Sequence, residues 1–251
     1  MGEARRNKER QAAQPRPADD QLLAISSALR KVVGAVTEAY GKDCLFYAFV
    51  AAEILRRKGF DARAVAGTAS WRVGSGDGDV ISHAIPMGPA YAQSNVGMSP
   101  VAHRAGMFHA WVECGEAVID FTTHLLGHKA KLIDAMDGQV TNVEWSPPYL
   151  WAPKSTISTH AQVARAPSGG VYSYLRSEDV ERHIFSDIDT GPESDVLYLA
   201  ALVEQVLSIN GPLEVIGLGG AVPQNEESAR FMSNALGLIP IDSQLMRPRS
   251  G

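Results

Sequence analysis

The run from Cys44 to Lys58, CLFYAFVAAEILRRK, contains neither Gly nor Pro, and its first ten residues are almost wholly apolar. A stretch of this length without a breaker reads as a helix. One that is apolar around its whole circumference must be enclosed by other elements rather than lie on a surface. Asp43 has the residue type of an N-cap, Gly59 supplies a stop signal, and only Arg56, Arg57 and Lys58 look solvated. The same stretch puts the thiol of Cys44 in the first helical turn, where unpaired N–H groups and a partial positive charge favour a thiolate. Cys44 is therefore a candidate nucleophile. The plainer alternative is that it is a small core hydrophobe.

The rest of the chain supplies the layers such a helix requires. With 251 residues, 45% of them hydrophobic, there is ample material for a core. A net charge of −5 with both signs interspersed excludes a broad nucleic-acid footprint. Residues 1–18 are charged, contain Gln and Pro and carry almost no large apolar side chains, which predicts a disordered tail. They lack the apolar core of a secretory signal, and no run approaches the roughly 18 to 20 apolar residues needed to span a bilayer. Two cysteines without such a signal point to a cytoplasmic location with no Cys44–Cys114 disulfide.

From Asp19 onward, Leu22, Ile25, Leu29, Val32, Val33, Val36 and Tyr40 fall on one stripe of an amphipathic helix that ends near Gly41. After the Cys44 helix, residues 62–73 and 80–86 read as a hairpin around the loop GSGDGD. Residues 86–106 have small, polar and turn-forming side chains without a period, the composition of a functional loop such as a lid. Met107 to Cys114 and Ala117 to Thr122, separated by Gly115-Glu116, give the sharpest hairpin signal. A short helix is expected over 125–137 and a Pro-rich surface segment over 145–155. A second hairpin is expected from 162–165 and 171–175, a helix over 192–209 with Pro192 near its start, and a last helix over 226–236. Helices first, hairpins next and helices last predict an α+β fold in one domain, residues 19–245, with 246–251 a flexible tail. In it the buried N-terminal helix packs on a mainly antiparallel sheet, with additional C-terminal helices.

A thiol nucleophile needs a base, and the base needs a third group to orient it. His109 stands out among the seven histidines because it lies inside a strand signal. If Gly115-Glu116 is a two-residue turn, Trp111 opposes Asp120, and alternation puts His109 and Asp120 on one face as diagonal neighbours, roughly 7 to 8 Å apart along the backbone. A three-residue turn would send Asp120 to the other face. A carboxylate set in Ala117-Val118-Ile119-Asp120-Phe121 also wants a partner.

Asp43-Cys44-Leu45 at a helix start, His109-Ala110-Trp111-Val112-Glu113 on one strand and Val118-Ile119-Asp120 on the next resemble the transglutaminase-like branch of the papain-like cysteine enzymes, over roughly residues 40–125. Leu45 departs from the aromatic residue that often follows the Cys in that family. The resemblance implies a papain-like or transglutaminase-like core like that of uncharacterised bacterial members. It also implies acyl transfer from an amide or ester, by hydrolysis or to an amine. Cys44 would be the nucleophile, His109 the proton carrier and Asp120 its orienter, with no cofactor, and a peptide, amide or ester would be the substrate. The Cys44 N–H would supply one oxyanion donor, and Tyr40, Trp71, Gln93 and Asn95 are candidates for the second.

Rival readings are weaker. Asp120, His124 and His128 are spaced for one helical face, yet Gly127 and the strand reading of Asp120 argue against a metal site, and no HExxH motif is present. Cys114 should face away from His109 and be inert. His83, His103, His160 and His183 read as surface or satisfied structural residues. Leu218-Gly219-Gly220 falls short of a phosphate-binding fingerprint. The remaining alternative is a non-catalytic binding or scaffold protein that reuses such a fold.

Overall fold

The computed structural model describes residues 16–37, 43–83, 108–138, 140–186, 188, 190–192, 194–208, 213–216 and 220–223. Expectations for residues 86–106, for the helix at 226–236 and for the tail at 246–251 lie outside these. The chain begins with α1 (Asp19–Thr37) and α2 (Asp43–Arg57). Leu22, Ile25, Leu29, Val32 and Val33 of α1 are all buried, as their helical spacing requires. In α2, Leu45, Tyr47, Val50, Ile54 and Leu55 are enclosed, each large aliphatic contributing about 1.5–3 kcal/mol relative to exposure. Gly59, at φ 87°, ends α2 by letting the Phe60 N–H return to the Leu55 carbonyl at 3.0 Å. The Arg16 guanidinium lies 3.9 Å over the Trp151 ring, so the end of the stretch expected to be a disordered tail is packed on the fold.

An antiparallel sheet follows: β1 (Ala62–Arg72), β2 (Val80–His83), β3 (His109–Cys114), β4 (Ala117–Asp120), β5 (Leu150–Pro153) and β6 (Val171–Arg176). Residues 69–72 of β1 pair with both β2 and β6, and Gly67 pairs with both His109 and Arg176. Each strand has two edges, so β2 and β3 share one edge of β1 in succession and β6 takes the other. His83 ends β2 and His109 begins β3 on that edge, which brings two histidines distant in sequence together.

The two faces of the sheet carry different layers. Ala62, Val112 and Ile119 pack with α1, α2 and α6 (Asp195–Ser208), and Ala66 and Ala110 with Leu45 and Ala48. Val65, Trp71, Trp111, Val118 and Tyr174 pack on the other side with Leu126 and Ala130 of α3 (Leu126–Asp137). The architecture is α+β, as the element order implied.

Three expectations are corrected. Residues 162–165 are not a strand but belong to α4 (His160–Arg165), because Thr159 and Gln162 form a capping box. Pro192 precedes α6 rather than starting it, and the Ser194 hydroxyl accepts from the Leu197 N–H at 3.4 Å. The Pro-rich segment at 145–155 contains β5, which tolerates Pro153 at its end. A helix that sequence reasoning did not expect, α5 (Glu178–Phe185), is capped by Ser177 and buries Val180 and Ile184 beside α2. The last strands, β7 (Leu213–Ile216) and β8 (Gly220–Pro223), pair with each other.

Candidate active site

The register of the β3–β4 hairpin decides which side chains can meet. Cys114 pairs with Ala117, Glu113 with Val118 and Val112 with Ile119, leaving Gly115-Glu116 as a two-residue turn. Gly115 has φ 55° and no described non-glycine residue has a positive φ, the glycine-first pattern of a type II′ turn. This parity puts His109 and Asp120 on one face, and His109 Nε2 lies 2.8 Å from Asp120 Oδ2. Both side chains are almost wholly excluded from solvent, at 0% and 1% exposure.

Asp120 is satisfied on both oxygens. The Thr122 N–H and hydroxyl each donate to Oδ1 at 2.8 Å, and the Tyr174 hydroxyl donates to Oδ2 at 2.8 Å. Trp71 Nε1 in turn donates to the Tyr174 oxygen at 2.8 Å. Burial opposes ionisation of Asp120, but the His109 charge and these bonds hold its carboxyl far below the usual range. Burial and then the Asp120 charge push the Tyr174 phenol well above its ordinary value, so it remains a donor.

A carboxylate only accepts hydrogen bonds, so His109 Nε2 carries the proton in that contact and Nδ1 is left for another partner. Cys44 occupies that side. It is the second residue of α2, half-buried, in the turn whose N–H groups are unpaired within the helix. The body of α2 packs on the sheet face opposite His109, and Cys44 reaches the imidazole from the end of β3, where the Ala110 N–H also stabilises its sulfur. Nδ1 makes no fully formed hydrogen bond at rest. Burial raises the thiol pKa, but His109 first, then Lys129 and Ala110, outweigh it and bring the thiol below its ordinary value. For His109, burial favours the neutral ring and Asp120 outweighs it, so its pKa is raised.

Aromatic rings and two further basic groups enclose the pair. The Trp71 ring meets His109 edge-on at 4.8 Å, and Trp111 stacks with it at 6.2 Å. His83 lies 5.6 Å from His109 with Nδ1 3.2 Å from the Phe108 carbonyl, and burial followed by the Lys129 charge holds it neutral.

The structure thus brings Cys44, His109 and Asp120 together. Trp71 is removed from the candidate oxyanion donors because its N–H is committed to Tyr174, while Tyr40, Gln93 and Asn95 lie outside the described residues. Cys114 is on the opposite face, and burial and Asp61 raise its thiol pKa. Asp120, His124 and His128 do not share a helix: Asp120 ends β4, and His124 Nδ1 lies 3.0 Å from the Phe121 carbonyl. Among the described residues no cluster of three His, Cys, Asp or Glu side chains is placed to hold a metal ion. His160 is a structural residue, bonded to Thr68 and Ser70 at 2.9 and 2.8 Å. No described helix is long and apolar enough to cross a membrane.

Sequence reasoning missed Thr122, Tyr174, His83 and Lys129. Thr122 carried a signal, since an Asp accepting from the N–H two residues on is an Asx turn. Tyr174 carried a weaker one in the alternation of Val171-Tyr172-Ser173-Tyr174-Leu175.

Residues 21–136 are similar to a family described as a protein of unknown function, DUF2026, and the matched span contains Cys44, His109 and Asp120. No curated protein matches the chain. Among solved structures it is similar to a crystal structure described as a genomics target. The two share 15% identity at a TM-score of 0.44, over 77% of this chain and 78% of that one.

Proposed function

We propose that this chain is a cysteine-dependent hydrolase or acyltransferase acting on an amide or ester substrate, built on a transglutaminase-like, papain-like core and working in the cytoplasm without a cofactor. The observation that carries this reading is the division of labour on one imidazole. His109 Nε2 is committed to the buried Asp120, so Nδ1 is the only ring nitrogen free to exchange a proton with Cys44.

In this reading the Cys44 thiolate attacks the substrate carbonyl carbon, forming a carbon–sulfur bond while the carbonyl electron pair moves onto oxygen. In this reading the N–H groups of the first turn of α2, unpaired within the helix, would receive that oxyanion. The oxyanion collapses as His109 Nδ1 gives its proton to the leaving amine or alcohol, and a thioester remains on Cys44. Water or an amine then gives a proton to His109 and attacks the thioester. Cys44 departs as thiolate beside the reprotonated ring. Asp120 stays ionised throughout and fixes the ring's orientation. The chain order Cys, His, Asp and the paired antiparallel strands support placing it in the transglutaminase-like branch.

The test is the pH dependence of Cys44 alkylation in the full chain and in His109→Ala, resolved by mass spectrometry of the Cys44 peptide. The expected result is a thiolate inflection below the ordinary value of about 8.5 that moves up in the variant. Ordinary titration in both proteins would make Cys44 structural and favour a non-catalytic binding role.

A further inference from the structure

Lys129 projects from α3 toward the sheet, next to the buried Leu126 and Ala130. Its Nζ is enclosed, has no hydrogen-bond partner among the described residues, and sits 4.9 Å from the centre of the Trp71 ring. The same ring touches His109 at 4.8 Å and His83 at 5.4 Å. An ammonium has three donors, and enclosing it without acceptors costs several kcal/mol unless nearby charge compensates. The indole face supplies only part of that compensation.

The groups around it show where the rest comes from. His83 on β2 is neutral and Tyr174 on β6 keeps its proton. His124, just before α3, is held neutral by burial. In the thiolate–imidazolium state of the reading above, the negative charges left are Asp120 on β4 and Cys44 on α2, against the single positive charge of His109 on β3. Without Lys129 this buried group would carry one uncompensated negative charge; with it the group is neutral. The balance holds through the cycle proposed above: when the charge moves from sulfur to the substrate oxygen, and when His109 has given up its proton in the thioester, the sum remains zero.

We propose that Lys129 is an electrostatic positioning residue, whose buried ammonium over Trp71 offsets the negative charge that Asp120 and the Cys44 thiolate place in this enclosed site. This inference rests on the cysteine-enzyme reading, and the two can fail separately.

The experiment is the Cys44 alkylation profile of the full-length chain in wild type, Lys129→Met, Lys129→Gln and Lys129→Arg, with folding checked by circular dichroism. Both neutral variants should raise the inflection by about one pH unit, slowing alkylation near neutral pH by about tenfold, and Lys129→Arg should recover most of the shift. A wild-type inflection near about 8.5 would remove the enzyme reading itself. A low wild-type inflection that is unchanged in a folded neutral variant would overturn the role of Lys129 alone. The same conclusion follows if both neutral variants fail to fold, because Lys129 would then be needed for the fold.

Discussion

The Tyr174 hydroxyl and the His109 imidazole converge on the same oxygen of Asp120, each at 2.8 Å, although Tyr174 is 54 residues away in sequence from that carboxylate. Trp71 donates to the Tyr174 oxygen, and Tyr174 and His109 both donate to Asp120, so the bonds form one connected chain that converges on the carboxylate. Such a chain leaves the carboxylate one orientation, and the imidazole inherits it. Tyr174→Phe removes one donor from Asp120 and strands the Trp71 N–H in a buried site. Stability should fall by about 1–3 kcal/mol in urea denaturation, with no loss of overall fold. An unchanged unfolding midpoint would mean the chain of bonds does not constrain the site.

Removing the charge of Asp120 while keeping its shape isolates its electrostatic part. Burial lowers the His109 pKa, and it is held above its ordinary value chiefly by the Asp120 charge. In Asp120→Asn burial wins, the imidazolium becomes less available, and Cys44 loses the strongest of the groups that lower its thiol pKa. The Cys44 alkylation inflection should rise by about one unit or more. A folded variant with the wild-type profile would separate Asp120 from the thiol chemistry.

Stability should itself depend on pH, most clearly on the acid side of neutrality. His83 is held well below its ordinary value, and His124 is lowered to about 4 by burial and then by Arg30. Both are neutral in the fold and take up protons on unfolding below about 6.5, so stability is lost as pH falls through that window. His83 alone gives a slope of up to about 1.4 kcal/mol per pH unit there. His109 is raised, so its contribution is present below about 6.5 and is lost as pH rises through its folded value. The lowered Cys44 thiol works in the opposite direction above neutrality, so the net dependence lies on the acid side, and urea unfolding should show stability rising from about pH 4.5 to about 6.5. His124→Asn should flatten the acid side, and a slope identical to wild type would reject the assignment.

These relationships were not equally visible in the sequence. The hairpin parity could be read because a two-residue turn fixes which side chains share a face, and Gly115 marks that turn. The three triad positions followed from that parity and the start of α2. The place of Tyr174 and Lys129 in the site could not be read, whatever alternation β6 shows: each reaches it through the pairing of β6 with β1 or the packing of α3, both set by long-range contacts rather than local pattern. The misplaced strand at 162–165 is a different failure, because a short run before the turn residues 166–170 was outweighed by a local capping box at Thr159 and Gln162. The face that α2 covers also carried no local signature. His109 points away from the body of that helix, and only the end of β3 brings Cys44 within reach.

Gly67 sits where the two edges of β1 are both in use, opposite His109 on one side and Arg176 on the other. A Cβ at this position would lie 2.1 Å from the Leu175 carbonyl oxygen and 2.9 Å from Arg176 Cα, both backbone atoms that no rotamer change can move. Gly67→Ala must therefore push β6 away from β1. Leu175 adjoins Tyr174, so the displacement runs directly into the hydrogen bond on Asp120, while the β3–β4 register that pairs Asp120 with His109 is untouched. The overpacking should cost about 1–3 kcal/mol in urea unfolding. The Cys44 alkylation rate at neutral pH should fall along with it, although the substituted residue touches neither the thiol nor the carboxylate. Serine should behave as alanine does, because the obstacle is the Cβ itself. An alanine variant with wild-type stability would show that β6 can shift without cost, and the positioning assigned to Tyr174 would then lose its structural basis.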